Sequence, residues 1–331
     1  MRGTSRMVVT FKLLLALAVR ADSAAPSCTP VAGAASLLSA VADAEVGCVA
    51  LATGVYALPS ELRLDRSVRL IAQPGATPTI SGARNGGSVT VSVGLEARVE
   101  LVGLRITGGN NTHYYESLPC AGGVHNLGTL VMVDCEVYGN IGESNGGGVS
   151  NSGNLTMHSC AVHGNRFPHG CGLLPAPQGG DCIVNRPVWQ SSGEGGGIRS
   201  SMEFYPGNRT EMPMPVLTLI DSRVFNNTAG MGGGIVVIDT GVTLVNSSVY
   251  NNTAAGDPSN GGGQGGGILH NCQMACRRPN STLVNSSVFN NTASLGGGTA
   301  LSGSISTGLT GLSWICVGIH SRGALPSPVC A

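Results

Sequence analysis

Residues 217–235 read LTLIDSRVFNNTAGMGGGI, and 25 residues later the chain repeats itself as VTLVNSSVYNNTA, residues 242–254. The phrase Val-x-x-Asn occurs five times: Val137 to Asn140, Val162 to Asn165, Val224 to Asn227, Val249 to Asn252 and Val288 to Asn291. A glycine triplet follows each time, at residues 146–148, 195–197, 232–234, 265–267 and 296–298. A fixed period of this size means stacked structural units. Working upstream from each Val, apolar residues recur with a spacing of two: Leu130, Leu155, Leu217 and Val242, then Met132, Met157, Leu219, Leu244 and Leu283. Between them lie Val131, Thr156, Thr218, Thr243 and Thr282. That alternation is a strand with one face buried.

Asp134, Ser159, Asp221, Asn246 and Asn285 come next, all turn-favouring residues. The small residues Cys135, Cys160, Ser222, Ser247 and Ser286 follow them and point inward. The Val then continues a second short strand. After the Asn bend and the glycines, Val149, Ile198, Ile235 and Ile268 open a third. Strands this short form no sheet within one repeat. Stacked about 4.8 Å apart they form continuous parallel sheets. The predicted fold is therefore all-β, a single-stranded right-handed parallel β-helix. Stacked Asn amides hydrogen-bond along its axis, and glycines let neighbouring coils approach closely.

Less regular pairs (Leu62 and Leu64, Val68 and Leu70, Val89 and Val91, Val99 and Leu101, Leu104 and Ile106) predict earlier coils. Residues 34–44, AASLLSAVADA, have helical spacing and good helix formers. They predict a short helix that caps the open N-terminal end of the solenoid. The expected organisation is a signal peptide over 1–25, an N-terminal cap over 26–48, the β-helix over 49–298, and a degenerate C-terminal cap or truncated tail over 299–331. Arg2, Arg6 and Lys12 precede a short apolar stretch, residues 13–19, and small residues follow it. About 20 apolar residues are needed to span a bilayer. The reading is a cleaved secretory signal, with no membrane span after its removal.

Composition narrows the function. Glycine accounts for 51 of 331 residues, charged residues for 11%, and the formal charge is zero. With no basic run, nucleic acid is excluded as a partner. Eleven cysteines fit an oxidising, extracellular compartment. The pairs expected are Cys28 with Cys48, Cys171 with Cys182, and Cys272 with Cys276. No Cys/His set completes a tetrahedral metal site.

These repeats resemble the right-handed β-helix superfamily shared by pectate lyases, polygalacturonases and surface adhesins. They are most similar to polymorphic outer-membrane protein repeats, with Gly232 to Ile235 standing for the Gly-Gly-Ala-Ile-like phrase and Val-x-x-Asn for Phe-x-x-Asn. The resemblance covers roughly residues 50–298. The Asn-Thr-Asp, Asp-Asp and Gly-His-Gly motifs of polygalacturonases are missing from the sequence.

Asp134, Glu136 and Asp221 are the acidic residues of the coils, and the turn column accounts for two of them. Chemistry is better sought in the insertions, which lie at 110–120, 166–194, 199–215, 255–264 and 269–280. One carries His113, Tyr114, Tyr115 and Glu116, another Arg166, His169, Trp189 and Glu194. Aromatic faces stack on sugar rings. The sequence thus offers Tyr114, Tyr115, His169 and Trp189 as ligand-binding candidates, and Glu116 and Glu194 as catalytic ones. Of nine sequons, those at Asn226, Asn251 and Asn290 precede the ladder Asn and are expected to face outward as glycosylation sites.

The resulting expectation is a secreted or cell-surface matrix protein, non-catalytic and adhesin-like, binding glycans or proteins on its lateral face. Its partner would be an extracellular polysaccharide or a cell-surface protein. One alternative is a carbohydrate-active enzyme (polyuronate lyase, hydrolase or epimerase), with Ca2+ a possible cofactor if it is a lyase. Another is a fragment of a larger adhesin.

Overall fold

A computed structural model describes residues 27–82, 89–111, 121–142, 146–167, 193–201, 214–256, 263–271, 281–294 and 296–302, together with the strands Cys316–His320 and Val329–Cys330. The chain is a right-handed parallel β-helix. Nine, eight and ten strands stack into three long sheets, in parallel except for Val329–Cys330, which pairs antiparallel with Cys316–His320. The first sheet holds Thr129–Val133, Asn154–His158, Val216–Ile220 and Val242–Val245 in register, so that Leu130, Leu155, Leu217 and Val242 stack. The second carries Glu136–Tyr138, Ala161–His163, Arg223–Phe225, Ser248–Tyr250 and Ser287–Phe289. The third carries Val124–Asn126, Val149–Asn151, Ile198–Ser201, Ile235–Ile238 and Ile268–Asn271. Inward residues of all three sheets merge into one core along the axis.

Two polar ladders fasten the corners. At the first corner Asp134, Ser159, Asp221, Asn246 and Asn285 adopt positive φ of 48–54°, as turn residues with short polar side chains can. Each small inward residue after them accepts an amide from the preceding coil. Cys160 N donates to Ser222 Oγ at 3.0 Å, Ser222 N to Ser247 Oγ at 3.1 Å, and Ser247 N to Ser286 Oγ at 3.1 Å. At the second corner the Asn column is continuous. Nδ2 of Asn140, Asn165, Asn227 and Asn252 donates to the next Oδ1 at 3.0, 3.1, 2.9 and 3.0 Å. In satisfying each other, these amides keep a buried polar row at little cost.

The glycine triplets act in two ways. The first glycine of each, such as Gly232 with φ 58°, needs the left-handed conformation. The third needs space: a Cβ on Gly234 would sit 2.5 Å from the Gly267 carbonyl oxygen of the next coil.

The helix Ala34–Ala42 packs against the strands Thr29–Val31, Cys48–Leu51 and Gly54–Ala57, with Leu37 and Val41 buried. Arg66 Nη2 donates to Val41 O at 3.0 Å, so a cation occupies the helix C-terminus. Cys28 and Cys48 are bonded. Cys171, Cys182, Cys272 and Cys276 lie outside the described residues, as do residues 1–26. No described helix is long and apolar enough to cross a membrane.

Three sequence expectations change. Strands at Gly54–Ala57 and Pro78–Ser81 were not anticipated, because their alternation is diluted by Gly, Pro and Ser. Arg199 and residues 269–271, expected in insertions, are strand residues of the third sheet. That sheet also runs past 298 through Thr299–Ser302 and Cys316–His320, in parallel register.

One core position carries a pH dependence. His270, 5% exposed, occupies the inward column of the third sheet above Val237, and burial lowers its pKa to about 4. The unfolded imidazole takes up its proton near pH 6.5, the folded one only near 4. The contribution of His270 to stability should therefore fall as pH drops through that window, by up to about 3 kcal/mol. Chemical denaturation at a series of pH values checks this, and His270→Leu should remove that part of the slope.

Candidate functional site: the outer face of the third sheet

Outward side chains of the first two sheets are mostly half-exposed, whereas those of the third, beyond the exposed Arg63 of its first coil, are largely buried. Its outward column runs Ser92, His125, Ser150, Arg199, Val236, Leu269 in consecutive register. His125 and Ser150 are 2% and 1% exposed, Val236 and Leu269 fully enclosed. The column is placed by the glycine triplet, which delivers the chain into the strand so that Val149, Ile198, Ile235 and Ile268 face the core. The next residue must then face out.

The centre of this face is polar. Arg199 Nε donates to Glu194 Oε2 at 3.0 Å, and both side chains are largely buried, at 13% and 14% exposure. Arg199 Nη1 also donates to Ser201 Oγ. Glu194 is fixed by its backbone, since Gly146 N donates to its carbonyl at 2.9 Å. On the preceding coil, Ser150 Oγ and Ser152 Oγ are buried without a hydrogen-bond partner. Desolvating a hydroxyl without a partner costs about 1–3 kcal/mol. Two coils further on, the face becomes apolar, where Val236, Ile238 and Leu269 cluster with Met231. A small set of polar groups beside an apolar wall is the ordinary make-up of a small-molecule site.

In the sequence, segments 112–120, 143–145, 168–192 and 257–262 all fall between a second-sheet and a third-sheet strand. Tyr114, Tyr115, Glu116, His169 and Trp189 fall within them and lie outside the described residues. Of the catalytic and ligand-binding candidates read from sequence, Glu194 alone is among the described residues, and its carboxylate is engaged as the orienting partner of Arg199. Ser150, Ser152, His125 and Arg199 were not singled out by sequence. The signal was present: the residue after each third-strand opening changes from His, Ser and Arg to Val and Leu along the column.

Comparison with known proteins names no family for this chain. No protein-family model matches the chain, and no curated protein does. Among solved structures it is similar to the crystal structure of pectate lyase Pel9A (15% identity, TM-score 0.44), over 77% of this chain and 59% of that one. It is also similar to an alginate lyase from Paenibacillus sp. str. FPU-7 (16% identity, TM-score 0.45), over 89% of this chain and 95% of that one. At such identity and TM-score neither likeness says anything of what this chain does. The chain spans 59% of the pectate lyase's length.

The second sheet bears a different constellation. Tyr138, His163, Phe225, Tyr250 and Phe289 stack along the axis with centroids 5.7, 4.7, 5.0 and 5.1 Å apart. Because the ring faces cover one another, the ladder presents edges to solvent, and the faces a sugar would stack on are occupied. Beside it, Glu136 accepts from Arg105 Nε at 2.6 Å and from His163 Nε2 at 2.7 Å. Burial would raise the Glu136 pKa, but hydrogen bonds from His163 and Arg105 outweigh it and hold the carboxyl below its usual value. The pairing of Glu136 is thus protein-internal. Among the described residues no group of three or more metal-ligating side chains is assembled. Arg223 lies on this second sheet, 5.9 Å from the Phe225 ring centroid. The sheet pairing separates it from the Glu194 face.

Proposed function

We propose that the protein binds an acidic extracellular polysaccharide along the outer face of the third sheet. One observation carries the reading: two buried serine hydroxyls without partners, on the coil next to a buried arginine–carboxylate pair. A polyhydroxylated ligand supplies donors and acceptors to both hydroxyls, and a uronate carboxylate suits the planar fork of Arg199. The Cys28–Cys48 bond fits an oxidising, extracellular location.

A catalytic reading is favoured by one feature. Hydrolysis needs two facing carboxylates, and among the described residues the column from Ser92 to Leu269 brings no second one beside Glu194. β-Elimination from a uronate needs one base and one group that neutralises the carboxylate, and His125, Glu194 and Arg199 are of the right types. If the protein is an enzyme, lyase chemistry therefore suits the face better than hydrolysis.

The test is binding to polygalacturonate, alginate and a neutral glucan, with calcium present and absent. Unsaturated ends are followed by ultraviolet absorbance in the same samples. Arg199→Gln should weaken binding of the acidic chains by about 10- to 100-fold, the worth of a charged hydrogen bond, with the neutral control unchanged. Equal binding by wild type and Arg199→Gln, with thermal melts confirming that both are folded, would sink the assignment. Appearance of unsaturated ends would promote the lyase reading over simple binding.

A further inference from the structure

At the bend after the second sheet, the coils divide into two kinds. In the earlier two, Gly139 and Gly164 take the left-handed conformation (φ 63° and 62°). The ladder residues Asn140 and Asn165 follow, then Ile141 and Arg166. In the later three, Asn226, Asn251 and Asn290 take that conformation (φ 54°, 53° and 52°). The ladder residues Asn227, Asn252 and Asn291 follow, then Thr228, Thr253 and Thr292. The bend itself asks only for positive φ, which glycine supplies at no steric cost. Nor does it ask for Thr, since Ile and Arg hold the same place. Yet the two positions change together, and only as Asn with Thr.

The register then gives each residue of Asn-Asn-Thr a separate fate. The first Asn is exposed in all three coils, and the second is consumed by the ladder. A slip of one residue would bury the acceptor. By contrast Asn246, another sequon asparagine, donates its amide to Asp221 Oδ1 at 3.0 Å.

We propose that Asn226, Asn251 and Asn290 carry an axial row of N-linked glycans, one on each of three neighbouring coils. In each case the carboxamide nitrogen attacks the anomeric carbon of a lipid-diphosphate oligosaccharide. The new C–N bond forms as the C–O bond to the diphosphate breaks, and the amide proton leaves with the diphosphate. The row adjoins Phe225, Tyr250 and Phe289, each the residue before an acceptor, so the sugars cover the exposed ring edges of the second sheet.

The experiment is secretion of the full chain from a eukaryotic host, with intact mass and peptide mapping before and after enzymatic N-glycan release. The expected result is release of glycan from all three asparagines, each converted to Asp. Asn226→Gly, Asn251→Gly and Asn290→Gly should each remove one glycan while keeping the left-handed bend. Thr228→Val, which leaves the asparagine in place, should remove the same glycan as Asn226→Gly. A mass unchanged by glycan release, or glycans confined to other sequons such as Asn154 and Asn285, would overturn the proposal.

Discussion

Replacing Asn227 by Leu is expected to destabilise the protein by about 4 kcal/mol, seen as a lowered midpoint in chemical or thermal unfolding. Asn227 is fully buried, and Leu has a similar shape, so packing is nearly conserved. What is lost is the ladder. Asn227 Oδ1 accepts from Asn165 N at 3.0 Å and from Asn165 Nδ2 at 3.1 Å. Its Nδ2 donates to Val162 O at 3.0 Å and to Asn252 Oδ1 at 2.9 Å. Asn165 Nδ2 keeps Val137 O, and Asn252 Oδ1 keeps the Asn227 amide. The Asn165 amide and the Val162 carbonyl each lose the ladder partner inside the core, and each orphaned group costs about 1–3 kcal/mol. The adjacent Asn226→Gly should stay within about 0.5 kcal/mol, because its exposed side chain serves no ladder and glycine accepts positive φ. The contrast between neighbours is the test: equal effects would mean that the stacked amides do not hold the coils.

Gly234→Ala should be as damaging, for a steric reason. The added Cβ would meet Gly267 O at 2.5 Å and Asn252 Nδ2 at 2.9 Å. The first is backbone of the next coil, so relief requires the coils to part where the Asn ladder and the third sheet hold them together. Overpacking a fixed interior typically costs 1–3 kcal/mol, and more where backbone must move, so about 3 kcal/mol is expected. The strand order makes the damage spread: Ile235–Ile238 pairs with both Ile198–Ser201 and Ile268–Asn271. Besides a lowered melting point, faster amide exchange should appear in both neighbouring strands. Exchange changes confined to the coil of Gly234 would contradict the close-packed reading.

Much of the architecture was legible because solenoid coils are built from local signals repeated in register. The spacing of Leu217 and Leu219, the turn at Asp221, the bend at Asn227 and the glycines at 232–234 each specify a local event. Stacking then turns those events into columns. The same logic predicted the short helix over the first coil. It failed where the alternation is weak, as at Gly54–Ala57 and Pro78–Ser81, and where a strand opens directly into an insertion, as at residues 199–201, which continue the strand opened by Ile198.

The candidate site was much less legible. Ser150 reads as one more small residue in a Gly-rich phrase, and Arg199 as the start of a loop. Their significance comes from burial and from their neighbours one coil away, 49 residues apart in sequence but adjacent in register. Glu194 could be suspected from its type, but its pairing with Arg199 could not. Phe225, Tyr250 and Phe289 each follow a repeat Val by one residue, and only the stacking distances show that their faces are spent on each other.

By itself, then, the sequence determined the period, the parallel stacking, the corner residues and the faces of each strand, because these follow from backbone conformation and side-chain alternation within one coil. Tertiary structure alone decided which outward face is enclosed, which hydroxyls lack partners and which charge meets which. Those properties depend on desolvation and on contacts between coils, and no local pattern encodes either.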